Sequence, residues 1–449
     1  MSQTTLSPPT AIFNLFFFNP QGDYRFSWRH PDAPGKEIFT LKYFADLARK
    51  AEAATLDNIF IADHVAIWDT VPSGLAHYAN PRLEPITLLA ALSAVTDNIG
   101  LMATASTSYN EPYNLARYFA SLDFLSEGRA SWNVVTSWLP EEAANYGLEQ
   151  LPEHGYRYQR AAEFIEVVRK LWESWQDDAV LIDKQSGYFT APDKVHQLNH
   201  EGKFFKVRGP LNVPRPPQGH PIVVQAGSSE SGKQLAAAQA DIHFVFMSDI
   251  EKGLIYRADM DRRLQEVGRD PAHFKILGGV LPVVVNSPEE KQQRQELINE
   301  LMNDQMALDL LSTYLRMDMN DYDRHAPLPP LPSEEGFDGL RTALQIIRGY
   351  DPKLTVLELG RLLLQSSDSW LVMGTAEEVA DKLSEAFHAG AVDGYNLMFP
   401  FLPVDLDNFI EQVAPLLKAR GVMKQAYSKG TLREKLGLPP VANQFVTQS

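Results

Sequence analysis

Short apolar runs alternate with amphipathic stretches along most of this 449-residue sequence. IFNLFFF at 12–18 is short and largely apolar, as a buried strand would be, and TLKYFADLARKAEAA at 40–54 has helical apolar spacing behind a capping residue, Thr40. The further predicted strands are 58–63, 99–106, 129–137, 221–227, 242–247, 275–285 and 394–399. Buried strands separated by helices indicate a parallel sheet, and roughly eight of them favour an α/β fold of the TIM (β/α)8 barrel type. A doubly wound open sheet is the alternative.

Two segments interrupt this alternation. Residues 177–220 are polar, punctuated by glycine and proline, and contain short β-like pieces. Residues 300–370 are rich in helical patterns that APLPPLPSEEG at 326–336 interrupts. Both have the character of insertions above a barrel, where lids and substrate loops commonly lie. We therefore predict a single domain over residues 1–449 with insertions at about 177–220 and 300–370.

Composition narrows the classes of function. The sequence is 44% hydrophobic, which is enough for a sizeable core, and it contains no cysteine, which excludes disulfides and thiolate chemistry. A formal charge of −16 argues against nucleic acid or an anionic membrane as a partner. The sequence lacks a secretory pattern and a run of about 20 apolar residues, so it predicts a cytoplasmic protein.

VVQAGSSESGKQ at 223–234 nearly matches the ATP-binding pattern G-x-x-x-x-G-K-[ST]. Gly227, Gly232 and Lys233 fit, but Gln234 replaces the hydroxyl that ligates magnesium, and Glu230 adds a negative charge where a triphosphate would lie. A glycine and two serines before a helix still offer amides and hydroxyls to one phosphate group. A monophosphate-bearing cofactor and an ordinary strand–helix turn both stay open.

Polar residues follow successive predicted strands. Asp63, Thr104 and Asn133 come at the ends of three strands, where barrel enzymes carry their functional groups, although each could instead cap a helix or complete a turn. EHGYRYQR at 153–160 adds His154 and Tyr158 before an amphipathic helix. These two belong either to a lid over an anion or to a solvated helix start.

Metal and hydrolytic chemistry receive little support. His196 and His200 are spaced i, i+4, but the surrounding pattern is not helical and no carboxylate motif accompanies them, so we predict no metal site. G-x-S-x-G and G-x-G-x-x-G are both absent. A hydrolase would need paired carboxylates, and the candidates, Glu111, Glu141 and Glu142, lie in predicted loops.

Several long segments together resemble one family. They are TSYNEPYNLARYFASLDFLSEGRASWNVVTS (107–137), EHGYRYQRAAEFIEVVRKLW (153–172), VRGPLNVPRPPQGHPIVVQAG (207–227) and TLREKLGL (431–438). They resemble the nitrilotriacetate and dibenzothiophene-sulfone monooxygenase branch of the bacterial-luciferase-like flavin enzymes. The resemblance runs from about residue 12 to 440 in one register. It implies a luciferase-like TIM barrel with insertions, and FMN that a separate NAD(P)H-dependent flavin reductase delivers in reduced form.

The resemblance also implies roles for particular residues. Ser137 would lie at the reactive edge of the flavin as the catalytic residue, and Trp28 would border the substrate pocket. Lys233 is not part of the family pattern. The implied cofactor-binding residues are Asp63, Thr104, Asn133, His154, Tyr158, Ser228 and Ser229, with the two serines at the phosphate.

The function implied is that of the oxygenase component of a two-component flavin monooxygenase. Reduced FMN and O₂ would oxygenate a small organic substrate, with possible cleavage of a C–S or C–N bond. The implied partners are that substrate, O₂ and a flavin reductase linked by diffusing flavin, and the chain would form a homo-oligomer (dimer or tetramer). The alternatives are an F420-dependent oxidoreductase on the same barrel and a TIM-barrel hydrolase.

The substrate class stays open at this point. Arg25, Arg29 and His30 could bind an anionic substrate or could be solvated loop charges. The aromatic-rich segment FNLFFFNPQGDYRFSW at 13–28 would suit a flat apolar substrate instead.

Overall fold

Nine parallel strands form the central sheet of a computed structural model that describes residues 10–67, 72–333, 341–365 and 369–446. Eight of the nine are barrel strands: β1 Ile12–Phe17, β2 Asn58–Ile61, β3 Gly100–Ser106, β4 Ala130–Val135, β9 Ile222–Gln225, β10 Ile242–Phe246, β11 Lys275–Val284 and β13 Gly394–Met398. They close into a barrel because β10 pairs with both β9 and β11, while β13 pairs with both β11 and β1. The range of every barrel strand falls inside a run of residues predicted as a strand. The predicted TIM barrel is therefore confirmed.

The ninth strand, β12 (Trp370–Gly374), pairs with the last five residues of β11. This strand is absent from the predicted ones, although its sequence, WLVMG, is apolar. It differs from the barrel strands in its exposure, since only Val372 and Gly374 are buried.

Helices cover the outside of the barrel. Their ends follow local capping rules: Thr40 accepts a hydrogen bond from the amide of Tyr43 at the start of α1, as predicted. In the described residues they are α1 Leu41–Ala53, α2 Pro72–His77, α3 Pro85–Ser93, α4 Pro112–Leu125, α5 Pro140–Asn145, α6 His154–Trp172, α7 Glu230–Gln239, α8 Ile250–Glu266, α9 Pro288–Leu301, α10 Asp304–Leu315, α11 Arg341–Arg348, α12 Val356–Gln365, α13 Ala376–His388, α14 Val404–Asn408, α15 Ala414–Ala419 and α16 Leu432–Lys435, with a π-helical turn, Phe409–Val413, between α14 and α15.

The two interrupting segments have different structures. Residues 177–220 contain two small antiparallel pairs, β5 Val180–Asp183 with β6 Tyr188–Thr190 and β7 His200–Glu201 with β8 Lys206–Val207. Residues 300–370 contribute α10, α11 and α12 among their described parts. The predicted division into one domain with two insertions stays a prediction.

Polar side chains lie inside the barrel as well as apolar ones. Asn58 Nδ2 donates to Asn14 Oδ1 (2.8 Å), and Asn14 Nδ2 donates to Asn396 Oδ1 (2.9 Å), which links three adjacent strands. On β4 the alternation of the strand turns Trp132 towards the outer helices and Asn133 towards the barrel interior. The interior therefore has hydrogen-bonding groups from its middle to its carboxyl-terminal mouth.

The opposite end of the barrel is closed by the segment TLREKLGL. Thr431 and Glu434 form a capping box at the start of α16, and Leu432 packs into the apolar cluster of the barrel interior. Arg433 is buried and donates to Asp241 Oδ2 at 2.9 Å. This closure leaves the carboxyl-terminal mouth as the accessible end. No helix among the described residues has the length and apolar character needed to cross a membrane.

Candidate active site

The ends of β2, β3 and β4 carry a row of hydrogen bonds across the barrel mouth. Asn133 Nδ2 donates to Thr104 Oγ1 at 2.9 Å, and Thr104 Oγ1 donates to the carbonyl oxygen of Ile61 at 2.8 Å. Asn133 is 3% exposed, and its Oδ1 has no hydrogen-bond partner among the described residues. A buried amide oxygen without a donor is costly, so this atom is available to accept a hydrogen bond from a polar ligand.

Asp63 follows β2 at the same level as this row. Burial raises the pKa of its carboxyl group to about 7, although the nearby Arg82 guanidinium opposes the shift. Burial also lowers the pKa of the adjacent His64 to about 3, with Arg82 and Arg25 acting in the same direction. The site thus places a carboxyl group that can exchange a proton near neutral pH beside an imidazole that stays uncharged.

Ser137 has a left-handed backbone (φ 58°), which is uncommon for a residue with a side chain and is often found at functional sites. Its Oγ lies 2.9 Å from Ser106 Oγ and donates to Glu142 Oε1 at 3.2 Å. Arg157 on α6 donates to the carbonyl oxygens of Thr136 and Ser137. Two side chains and a helix therefore fix the Ser137 hydroxyl in one place.

Glu142 supports this arrangement from beneath. It is 2% exposed and accepts hydrogen bonds from the amides of Val65 (3.2 Å), Trp138 (3.2 Å) and Leu139 (3.1 Å) as well as from the Ser137 hydroxyl. It therefore joins the loop after β2 to the loop after β4.

The turn after β9 is shaped by two glycines. A Cβ on Gly227 would lie 2.8 Å from Tyr158 Oη, and a Cβ on Gly232 would lie 2.4 Å from the Gly227 carbonyl oxygen. Ser229 is the N-cap of α7 and its Oγ accepts from the amide of Gly232 at 3.1 Å, so its own hydroxyl hydrogen can still be donated. His243 Nε2 lies 3.2 Å from the Gly227 carbonyl oxygen. The turn combines a helix N-terminus with an exposed serine pair, which is suited to one phosphate.

His154 and Tyr158 lie on the first turns of α6, with their rings 4.6 Å apart. The Gly227 geometry places Tyr158 against the turn after β9. Lys233 forms ion pairs with Glu230 (2.8 Å) and Asp259 (2.9 Å), so its charge is neutralised at the α7–α8 contact. The lysine that nearly completes the ATP-binding pattern therefore has a structural partner of its own.

Two cavities open at the barrel mouth and share His64. The first, which we call the rim cavity, has a volume of about 360 Å³ and is lined by Asp63, Thr104, Ser137 and Glu142 among others. The second, which we call the apolar cavity, has a volume of about 280 Å³ and is lined mainly by aromatic and aliphatic side chains. A polar chamber next to an apolar one provides separate places for a cofactor and for an organic substrate.

The residues predicted from the sequence are not all brought together. Asp63, Thr104 and Ser137 line the rim cavity, Asn133 is bonded to Thr104, and Tyr158 with its neighbour His154 adjoins the turn that holds Ser228 and Ser229. Trp28 is not among the described residues that line either cavity.

Trp28 is 39% exposed, and its indole donates to the carbonyl oxygen of His77 at 2.9 Å. Its role at the substrate pocket stays a prediction. Nearby, Arg29 donates to the carbonyl oxygen of Leu301 and the His30 ring lies 4.6 Å from that of Phe401, so of the three candidate anion-binding residues only Arg25 lines the apolar cavity.

Sequence reasoning misses several residues that the structure places at the mouth. His64 directly follows Asp63 in the sequence, and Arg157 directly precedes Tyr158 within EHGYRYQR. Their positions next to predicted site residues could have identified them. Arg82 has no such signal, since its link to Asp63 exists only after folding.

A TIM barrel with its mouth opening into a polar and an apolar chamber defines the class of small-molecule barrel enzymes. The family model for luciferase-like monooxygenases matches residues 23–394. The chain is 41% identical over 433 residues to the N-acetyl-S-(2-succino)cysteine monooxygenase of Bacillus subtilis (strain 168), which covers 96% of this chain and 97% of that protein. It is 39% identical over 444 residues to nitrilotriacetate monooxygenase component A of Aminobacter aminovorans, covering 97% and 98%.

A solved structure gives the same result. The crystal structure of a riboflavin lyase with modified FMN and its substrate riboflavin is 33% identical, with a TM-score of 0.84 and coverage of 95% of each chain. The protein belongs to the luciferase-like monooxygenase family. The predicted family and the predicted monooxygenase class are confirmed.

Proposed function

We propose that this protein is the oxygenase component of a two-component flavin monooxygenase. It takes up reduced FMN from a separate NAD(P)H-dependent flavin reductase and uses O₂ to oxygenate a small organic molecule, with cleavage of a C–S or C–N bond where the substrate has one next to the oxidised position. The observation that carries this proposal is the buried Asn133 Oδ1, which has no hydrogen-bond partner among the described residues and lies on β4, the strand that pairs directly with β9 and its helix N-terminal turn. Relatives that include a nitrilotriacetate monooxygenase component A support it.

The residues present fit FMN. From β2 through β3 and β4 to β9 there are three interstrand spacings, about 14 Å, which a ring system with a ribityl phosphate chain can bridge. The turn at Gly227 would hold the phosphate, with Ser228 and Ser229 donating. Thr104 and Asn133 would face the polar edge of the ring system.

FMN bound there in its reduced form would supply the activation of O₂. The chain itself supplies orientation, proton control and exclusion of water. Asp63, with its pKa of about 7, can hold or release a proton beside the ring site, and the fixed Ser137 Oγ, whose hydrogen is donated to Glu142, can accept a hydrogen bond at the reactive edge. The walls of the apolar cavity keep water away from the reacting atoms.

The structure gives the hydrolase alternative no free carboxylate pair among its candidates. Glu141 Oε1 pairs with Arg316 at 2.6 Å, and both oxygens of Glu142 accept backbone or hydroxyl hydrogen bonds. The family match to monooxygenases favours oxygen transfer over F420-dependent hydride transfer.

Isotopic labelling tests the proposal and separates the three classes. The purified protein is combined with an unrelated flavin reductase, NADH and isotopically labelled O₂, and organosulfur, amine and aromatic compounds are screened by mass spectrometry. We expect a product that carries one labelled oxygen atom and forms only when FMN is present. Label entering from water instead of O₂ would indicate a hydrolase, and substrate reduction or oxidation with F420 and no label would indicate the hydride-transfer enzyme.

We also expect residues 300–370, rather than 177–220, to cover the site. In the described residues, α10, α11 and α12 line the apolar cavity, while no residue from 177–220 lines either cavity. Limited proteolysis should show reduced cleavage within 300–370 when reduced FMN and a substrate are bound anaerobically. Protection confined to 177–220 would contradict this assignment. A cytoplasmic location and a homo-oligomeric state stay predictions of the sequence.

A further inference from the structure

Aromatic side chains form a large part of the wall of the apolar cavity. Six rings line it, contributed by β1, the loops after β1 and β4, the end of β10, and α10: Phe16, Phe18, Tyr24, Trp138, Phe246 and Tyr314. Aromatic surfaces give large apolar contact areas at low conformational cost and stack on flat or bulky organic groups. These six rings are therefore suited to contact the apolar surface of an organic molecule.

Six aliphatic side chains form the rest of the apolar lining, which we call the aliphatic wall. Five come from α10, α11 and α12 in the 300–370 segment, and the sixth is Met398 on β13, the strand partner of Phe16. The five are Leu310, Ala343, Ile346, Leu363 and Leu364. Twelve of the sixteen lining residues are thus aromatic or aliphatic, and only Asn19, Asp23, Arg25 and His64 carry polar groups beyond the tyrosine hydroxyls.

The charges of the cavity nearly cancel. Arg25 is the one cation among the described lining residues, and Asp23 is the one carboxylate. The Arg25 guanidinium is held 5.2 Å from the Tyr78 ring centroid and 5.9 Å from that of Tyr314, and the shared wall residue His64 stays neutral because its pKa is about 3.

We propose, on the basis of the function proposed above, that the substrate is an uncharged, mainly apolar molecule of the aromatic or bulky aliphatic class rather than a polycarboxylate. A carboxylate that enters an apolar cavity without its own cation loses its hydration without a compensating partner. A tricarboxylate would leave at least two charges without a cation among the described lining residues. The reaction balances as substrate, O₂ and reduced FMN giving oxygenated substrate, water and oxidised FMN, with both electrons from the flavin.

Binding to the flavin-free protein tests this inference directly, because Trp138 lines the cavity and reports occupancy by its fluorescence. Matched probes are biphenyl dicarboxylate and its dimethyl ester, which share a skeleton and differ in charge. Dibenzothiophene sulfone and nitrilotriacetate extend the comparison. We expect the diester and the sulfone to bind at least tenfold more tightly than either polyanion. Tighter binding of the diacid or of nitrilotriacetate would overturn the proposal.

Substitutions at and away from the apolar cavity test whether the probes bind there. Phe246 is 47% exposed at the cavity wall, and Ile255 on α8 is 64% exposed away from it, so both tolerate a polar side chain without loss of core packing. Phe246→Arg should weaken binding of the diester at least tenfold, whereas Ile255→Arg should leave it unchanged. Trp138→Phe should abolish the fluorescence change while calorimetry still detects binding. Equal affinities in Phe246→Arg and wild type would overturn the assignment of this cavity.

A parallel titration with FMN separates the two levels of inference. If neutral probes bind as expected but FMN does not bind, the cavity assignment stands and the proposed function fails. If FMN binds and label from O₂ enters a polycarboxylate but no neutral compound, the proposed function stands and the substrate class is wrong.

Discussion

Replacing Ser229 with aspartate tests the phosphate site without disturbing the helix that forms it. Ser229 is the N-cap of α7, and aspartate caps helices about as well as serine does. The variant Ser229→Asp should therefore keep the fold and the turn while it adds one negative charge at the mouth of the site. Ser229→Asn is the matched control, since asparagine is also a good N-cap and has no charge.

The expected loss of affinity can be worked out from the exposed position of Ser229. At about 5 Å and an effective dielectric constant of about 40, two unit charges repel by about 1.7 kcal/mol. A phosphate monoester carries a charge of about −1.5 to −2 near neutral pH, and salt screens part of the repulsion. We therefore expect FMN binding to weaken by about 2–3 kcal/mol, or about thirtyfold to 150-fold.

Titration with FMN and with riboflavin, followed by fluorescence quenching, provides the assay. Riboflavin has the same ring system without the phosphate, so Ser229→Asp should leave its affinity unchanged and should lose affinity for FMN only. The loss should shrink as salt is added. Equal weakening of both flavins, or no weakening of FMN, would show that this turn does not bind the phosphate.

Three further predictions concern the stability of the protein and the shape of the site. The pKa of Asp63 is raised from 3.8 to about 7 by folding, so the wild-type protein loses stability as pH rises through this window, whereas Asp63→Asn does not titrate. The free energy of unfolding of Asp63→Asn, measured with denaturant, should therefore rise relative to that of wild type by up to about 4 kcal/mol between pH 3.8 and about 7. A difference that stays constant with pH would contradict this prediction. Gly227→Ala should weaken FMN binding, since its Cβ would lie 2.5 and 2.8 Å from two side-chain atoms, whereas Gly155→Ala, with no atom within 4 Å, should not. Arg433→Met should lower the free energy of unfolding by about 3–5 kcal/mol by leaving the buried Asp241 without its hydrogen-bonded arginine, and adding Asp241→Asn should restore part of that loss.

The barrel could be predicted from the sequence because each of its strands is buried on both sides. All six residues of Ile12–Phe17 are buried, and all but Asn14 are apolar, so the segment reads as a buried strand. The half-exposed β12 has a similar run, WLVMG, at the end of the interrupting segment 300–370, so an apolar run alone did not identify it. The cap at Thr40 could be predicted as well, because it depends on a contact within one helical turn.

The site residues that could be predicted are polar residues at the ends of predicted strands. Asp63, Thr104 and Asn133 follow strand ends, and parallel strands bring those ends together. The electrostatic interaction of Arg82 with Asp63 and the hydrogen bond from Val65 to Glu142 depend on how loops of different length fold over the mouth. The sequence of neither loop contains a pattern that predicts these interactions.

The two cavities draw on different parts of the chain, and this separation has a consequence for specificity. Every described residue of the rim cavity comes from residues 63–146, which form the ends of β2 to β4 and the loops and helices that follow them. Five of the six residues in the aliphatic wall of the apolar cavity come from α10, α11 and α12. Substitutions in those three helices should therefore change which organic molecules bind while leaving flavin affinity unchanged, because His64 is the one described residue that lines both cavities. A substitution at Leu310 that altered FMN affinity as much as substrate affinity would show that the chambers are energetically coupled.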